Sequence, residues 1–241
     1  MEKITSVPID IIEDYIVCPA KAYMNLTLTE KPTKQVILSR ARRGLYDIVL
    51  ASLGKEHLDK AVIEKVIGHI MDCPGYANSD YDMAYLAELF NTLDSLLISN
   101  ELILTGGILP FEYSYSGIIV TSAIDFVVKD EKRGYISPAL LDFSRTRYEP
   151  FFNPIVYRCQ TIIDHMNIKS HNTDVIVFTP YGNKAKKWNY DKMKLSDTVK
   201  VSLEEVCHGI KENLFYHRIG WWCAGCPYRG ICYKIMEKVF K

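Results

Sequence analysis

No apolar run in this chain approaches the ~20 residues needed to span a bilayer, so the sequence predicts no transmembrane helix and no membrane partner. The opening stretch from Met1 to Asp10 lacks the apolar core of a secretory leader and reads as mature protein, which makes the cytoplasm the default location. An excess of charge is missing too: Lys+Arg and Asp+Glu both total 29. That balance excludes a general electrostatic scavenger of nucleic acid, and any phosphate contact must come from a local basic patch. An even cysteine set is also absent. Seven cysteines in 241 residues do not suggest a disulfide framework. In a reducing compartment such thiols are buried, catalytic or metal-bound. The sequence shows no repeat, low-complexity tract or interdomain linker, so it reads as one domain over 1–241.

What is present is an ordinary globular composition, 48% hydrophobic and 24% charged, with a change of pattern midway. Helical periodicity runs through 8–26, where Ile11, Ile12, Tyr15, Ile16 and Tyr23 recur on one face and Pro19 is a local perturbation. Helices are expected again at 35–53, 56–71 and 81–99, the last two separated by Cys73-Pro74-Gly75. After Gly106-Gly107, segments 108–115, 117–128 and 136–143 are rich in Ile, Val, Phe and Tyr and predict strands. A helix at 154–167, a buried strand at 174–179, a loop or hairpin over 182–200 and a helix at 201–216 complete the reading. The expected fold class is α/β, with a mainly helical portion (1–105), a core of sheet and helix (106–200), and a C-terminal helix with cysteines (201–241).

Cys223-Ala-Gly-Cys226-Pro-Tyr-Arg-Gly-Ile-Cys232 spaces three thiols as C-x2-C-x5-C, with Gly225, Pro227 and Gly230 supplying tight backbone. Thiolates in this pattern suit zinc or an iron–sulfur centre, and a [4Fe–4S] cluster takes four. The fourth ligand must come from Cys18, Cys73, Cys159 or Cys207. Cys18 stands out by context, because Cys18-Pro19 lies in the segment Tyr15-Ile-Val-Cys-Pro-Ala-Lys-Ala-Tyr23.

Two strand segments end in acids. Gly117-Ile-Ile-Val-Thr-Ser-Ala-Ile-Asp125 is one, and Tyr135-Ile-Ser-Pro-Ala-Leu-Leu-Asp142 is the other. Neighbouring strands lie ~4.8 Å apart, so such acids can share a divalent cation. A bland alternative is that each Asp merely ends its strand and caps a turn.

The arrangement from Tyr15 to Cys232 resembles the iron–sulfur branch of the RecB-like PD-(D/E)XK nucleases, which includes the CRISPR-adaptation-associated exonucleases. The resemblance implies a PD-(D/E)XK core, a central mixed sheet flanked by helices, closed by an iron–sulfur segment. It also implies a [4Fe–4S] cluster on Cys18, Cys223, Cys226 and Cys232. It makes Asp125 and Asp142 catalytic ligands of Mg²⁺ or Mn²⁺, with the Phe143 carbonyl as a further oxygen and Gln160 as a positioning residue. Three departures stand against it. Ser144 occupies the place of the family's lysine, with Arg145 beside it. No histidine follows Gly44, where Asp47 is the nearest substitute. Gln160-Thr-Ile-Ile-Asp164 keeps the Gln of Gln-x-x-x-Tyr and loses the Tyr.

Three functions follow: a DNA-acting nuclease with altered or lost phosphodiesterase activity, an inactive nucleic-acid-binding or scaffold subunit among protein partners, or a zinc- or cluster-bearing interaction module unrelated to nucleic acid. Arg42, Arg43, Arg145 and Arg147 are expected to contact phosphates of single-stranded DNA or duplex ends. The lysines of 184–194, with Trp188 and Tyr190, read either as a strand grip or as a solvated loop. Trp221 and Trp222 are expected to shield the cluster.

Overall fold

The computed structural model describes residues 4–29, 33–72, 83–143, 154–166, 174–179, 184–188, 196–232 and 234. The first expected helix is two helices, α1 (Ile9–Val17) and α2 (Pro19–Thr27), that meet at Cys18. Proline has no N–H and turns the preceding residue away from helical angles. Cys18 accordingly sits extended at φ −159° and ψ 114°. Its N–H donates to the Asp14 carbonyl, closing α1, and its own carbonyl accepts from Lys21 and Ala22, opening α2. One residue thus caps two helices, and Pro19 occupies the first turn of the second, where its fixed φ suits it.

Helices α3 (Thr33–Ser52), α4 (Lys60–Met71) and α5 (Met83–Ser99) follow. The Asp59 side chain accepts from the Val62 N–H and starts α4 four residues later than the periodicity suggests. Gly44 lies where α3 crosses α4: a Cβ there would stand 2.2 Å from the Val66 side chain. Close helix packing is what that glycine serves.

A short strand, β1 (Ser6–Pro8), precedes α1, and β2 (Leu102–Gly106) follows α5; neither is apparent from periodicity. Next come β3 (Leu109–Tyr115), β4 (Ile118–Ile124), β5 (Phe126–Asp130) and β6 (Ile136–Leu141). Ser116 and Gly117, both at positive φ, make the two-residue turn between β3 and β4. After α6 (Ile155–Met166) come β7 (Val175–Thr179), β8 (Lys184–Trp188) and α7 (Ser196–Lys211). β8 and the start of α7 fall inside the expected 182–200 loop or hairpin. α7 stops five residues before the expected end, because Asn213 takes a left-handed conformation at φ 56°.

The strands form two mixed sheets, ordered β1-β4-β3 and β2-β5-β6-β7-β8. The pairs β1–β4 and β6–β7 are parallel and the others antiparallel. α6 is the crossover between β6 and β7. The chain passes from the first sheet to the second at Asp125, the residue between β4 and β5.

Alternation along the strands sorts the core. Ala139, Leu141, Ile176 and Phe178 face α3, α4 and α5, whereas Leu140, Val175 and Val177 face α6. A separate core joins α1, α2 and α7 to the three-stranded sheet and reaches Trp222, Cys226 and Cys232. The architecture is a mixed α/β fold. Among the described residues, no helix is long and apolar enough to cross a membrane.

Candidate functional site

The two ends of the chain meet at Cys18. The Ala20 N–H donates to the Tyr216 carbonyl at 3.0 Å, the Tyr15 hydroxyl donates to the Leu214 carbonyl at 2.7 Å, and the Arg218 guanidinium donates to the Ile16 carbonyl. Phe215 packs edge-on against Tyr15 and tilted against Tyr23. This seam brings the short 3-10 turn Trp221–Gly225 and the residues after it over α1 and α2. Cys18 is buried; Cys223, Cys226 and Cys232 are half-buried.

Burial pushes the Cys226 and Cys232 thiols above the ordinary value. Cys232 is raised further by Cys18, Cys226 and Cys223, and Cys226 by Cys18 and Cys223. The four sulfurs are therefore within electrostatic reach of one another. No group of three or more His, Cys, Asp or Glu side chains among the described residues is arranged to hold a metal ion. Four thiols from opposite chain ends, with Trp222 packed on the same core, nevertheless match the donor chemistry of an iron–sulfur cluster. Ligation requires thiolates, whose burial cost the positive charge of bound iron would offset. Trp222 donates from Nε1 to the Arg218 carbonyl at 2.9 Å and packs on the core, while Trp221 is exposed. The remaining described cysteines lie elsewhere: Cys159 in the α6 core, and Cys207 beside Tyr115, where burial pushes it up to about 12. Cys73 lies outside the described residues.

The acids Asp125 and Asp142 are both buried and stand at the same end of β6. Asp125 donates its N–H to the Ala139 carbonyl at 3.1 Å, and its Oδ2 accepts the Leu141 N–H at 2.9 Å. Its carboxylate is thus fixed to the peptide one residue ahead of Asp142, whose N–H donates to the Phe178 carbonyl at 2.9 Å. The Phe143 carbonyl accepts the Tyr85 hydroxyl at 3.2 Å, which ties this end of the sheet to α5.

Beside these acids lies a charged network that sequence patterning does not reveal. Arg158 on α6, 4% exposed, donates from Nε and Nη2 to the two carboxylate oxygens of Glu13, at 3.0 and 3.1 Å. Its Nη2 also donates to Asp10 Oδ1 at 2.8 Å, and that oxygen accepts Arg42 Nη1 at 2.7 Å. Arg42 Nε is buried without a partner among the described residues. Burial opposes ionisation of Asp10, but Arg42 and Arg158 outweigh it and hold the carboxyl at about 2. Burial raises Glu13 despite Arg158. It also raises Asp125, against the pull of Arg158, Arg42 and the Leu141 N–H. Arg158 would be lowered by burial, yet Glu13, Asp10 and Asp125 keep it above its ordinary value. Cys159, next to Arg158 on the helix, feels Arg158, Asp142 and Glu13 together. Three acids (Asp10, Glu13 and Asp125) therefore act on Arg158, and Asp142 acts on the neighbouring Cys159.

Other residues singled out from the sequence are placed differently. Gln160 sits two residues after Arg158, hence roughly 200° around the helix. Its Nε2 donates to Asp164 Oδ1 at 2.9 Å, and Asp164 Oδ2 accepts the Tyr115 hydroxyl at 2.6 Å. Its side-chain amide is thus spent on a Tyr115–Asp164 tie at the turn end of β3. Asp47 and Arg43 are exposed on α3, while Arg42 turns inward to the acids. Ser144, Arg145 and Arg147 lie outside the described residues, as do Tyr190, Lys192 and Lys194. Asp10, Glu13 and Arg158 were missed by sequence reasoning. The available signals were an arginine inside the otherwise apolar start of α6 and two acids three residues apart on α1.

No protein-family model matches this chain. No curated protein matches it either. Among solved structures, the crystal structure of SSO0001 is similar over 96% of this chain and 88% of that one, at 11% identity and a TM-score of 0.45. Likeness at that level carries no argument about what this chain does.

Proposed function

We propose that this chain is an iron–sulfur protein of the RecB-like PD-(D/E)XK nuclease type that acts on DNA, with a cation site at Asp125 and Asp142. The observation that carries the reading is the meeting of Cys18 with the C-terminal trio, since a [4Fe–4S] cluster needs four thiolates and no three-cysteine segment supplies them. Unpaired thiols fit a reducing, cytoplasmic setting. The acid-rich site supports the second half. Asp125 and Asp142 stand buried at the same end of β6, and burial raises Asp125 and Glu13, a cost that a bound divalent cation would offset.

A bound Mg²⁺ or Mn²⁺ would supply Lewis acidity toward a phosphate. The chain's own residues do the rest. The Leu141 N–H fixes one oxygen of Asp125, β6 presents Asp142 beside it, and Tyr85 restrains the Phe143 carbonyl. Arg158 lies too deep to touch a substrate and orders the acids instead. Exposed Arg43 is available to a phosphate backbone, as Arg145 and Arg147 would be by their place in the chain.

A second reading has its own support. Two guanidiniums already stand beside Asp125, and Ser144 brings no cation, so a nucleic-acid-binding or scaffold subunit without cleavage is the competing function. Anaerobically purified protein decides between them. The nuclease reading expects brown protein that cuts single- or double-stranded DNA with Mg²⁺ or Mn²⁺, and Asp125→Ala or Asp142→Ala variants that do not. Brown protein that binds DNA at low salt and cuts nothing, alone or with partner proteins, establishes the scaffold reading. Colourless protein with one equivalent of zinc overturns the cluster.

A further inference from the structure

His217 lies in the seam between the chain ends, and its Nε2 stands 3.4 Å from the Cys232 Sγ. Its neighbour Arg218 pins the same stretch to the last turn of α1 through the Ile16 carbonyl, two residues before Cys18. The Arg218 carbonyl meanwhile holds the Trp222 indole at 2.9 Å, and Cys223 Sγ approaches the same oxygen at 4.0 Å. The His217–Arg218 stretch therefore touches the surroundings of Cys18, Cys223 and Cys232 at once. No other imidazole is hydrogen-bonded to a cysteine sulfur among the described residues.

We propose that His217 is a positioning residue of the cysteine centre, donating a hydrogen bond from Nε2 to the Cys232 sulfur when that sulfur is a cluster ligand. The inference rests on the cluster reading above. A ligating sulfur carries no proton, so the hydrogen in this contact must come from the ring, with Nε2 protonated. Hydrogen bonds to ligand sulfurs disperse their negative charge, which raises the reduction potential and slows ligand loss. The geometry also explains why a half-buried thiol at the end of the chain keeps one direction. The Arg218 anchor and the Trp222 indole hold the seam, and His217 fixes the sulfur to it.

Two polar variants separate this role from a general structural one. In His217→Gln the side-chain amide reaches the place of Nε2 and keeps a donor for Cys232. In His217→Asn it reaches only the place of Nδ1 and does not. The readouts are loss of visible cluster absorbance under an iron chelator and the reduction potential of the cluster by spectroscopic titration, on the anaerobically purified full chain.

The expected result is near wild-type behaviour for His217→Gln. His217→Asn should bleach roughly tenfold faster, with a lower potential. A brown wild type whose His217→Asn variant bleaches at the same rate with the same potential overturns the inference and leaves the cluster standing. A colourless wild type removes both. A change in bleaching rate without any change in potential, shared equally by Asn and Gln, would assign His217 to packing and overturn the donor role.

Discussion

The cysteine centre and the acidic site draw on the same short helix and are assembled in opposite ways. Three of the four thiols sit within the ten residues from Cys223 to Cys232, and only Cys18 comes from afar. The charged network takes Asp10 and Glu13 from α1, Arg42 from α3, Arg158 from α6 and Asp125 from the junction of two sheets. α1 serves both: Asp10 and Glu13 lie along it, and Cys18 caps its end. Ligands for a cluster can be set by local spacing, because the backbone between them is short and glycine-rich. A buried ion network cannot, since each charge is tolerable only when the others arrive from different elements. The difference predicts how each region fails: the first by loss of a bound group, the second by leaving a charge stranded.

The largest effect should come from Cys226→Ser. With the cluster reading correct, visible absorbance disappears, and thermal unfolding falls by more than about 10 °C, because binding at such a site is part of the folding free energy. Retention of colour would show that the trio is not the ligand set. Arg158→Met should come next. It strands Glu13 and Asp125 in the interior, and removal of one partner from a buried pair costs about 3–5 kcal/mol. Denaturant unfolding measures this. The double variant Glu13→Gln/Arg158→Met should recover roughly 2 kcal/mol, and additive losses would mean the two side chains do not work as a pair.

The contrast also explains what could be read from the chain. Strands β3 and β6 and the helices α3, α5 and α6 were legible because their apolar residues keep period and their ends carry Gly, Pro or Asp, whereas the single strand expected over 117–128 is two, β4 and β5, which part at Asp125 into different sheets. Pro19, read as a local perturbation, splits the expected first helix in two at Cys18. β1 was hidden because three residues ending in Pro8 carry no period. The early end of α7 depends on one left-handed asparagine, which composition does not announce. Gln160 shows the opposite hazard. A residue that fits a motif by spacing faces Asp164 and Tyr115 instead, because helical rotation sets Gln160 and Arg158 on opposite sides of α6. Arg158 itself could not be paired from sequence, since its partners lie 145 and 148 residues away.

Asp125→Asn sharpens the comparison from the side of the cation. Burial holds Asp125 above its unfolded value of about 3.9, so its contribution is fully present below that pH and is lost as pH rises through the folded value. At pH 7 in chelator the buried carboxyl is a burden, because ionisation is easier in the unfolded chain. Asn removes it and can still accept the Leu141 N–H. Tm should rise by about 2 °C, and any stabilisation by Mn²⁺ should vanish. A variant that still gains stability from Mn²⁺ would move the cation site away from Asp125.

Asp10→Asn is the mildest and has the opposite pH signature. Arg42 and Arg158 hold Asp10 at about 2 against the desolvation of its carboxyl, so its stabilisation is present above the unfolded value of about 3.9 and fades as pH falls toward 2. The side chain is half exposed, and solvent screening limits the effect to below about 1 kcal/mol. The wild type should therefore lose its small advantage over the variant within that acid window, as followed by denaturant midpoints from pH 5 to pH 2. An advantage that persists to the lowest pH would mean that Asp10 contributes packing rather than charge.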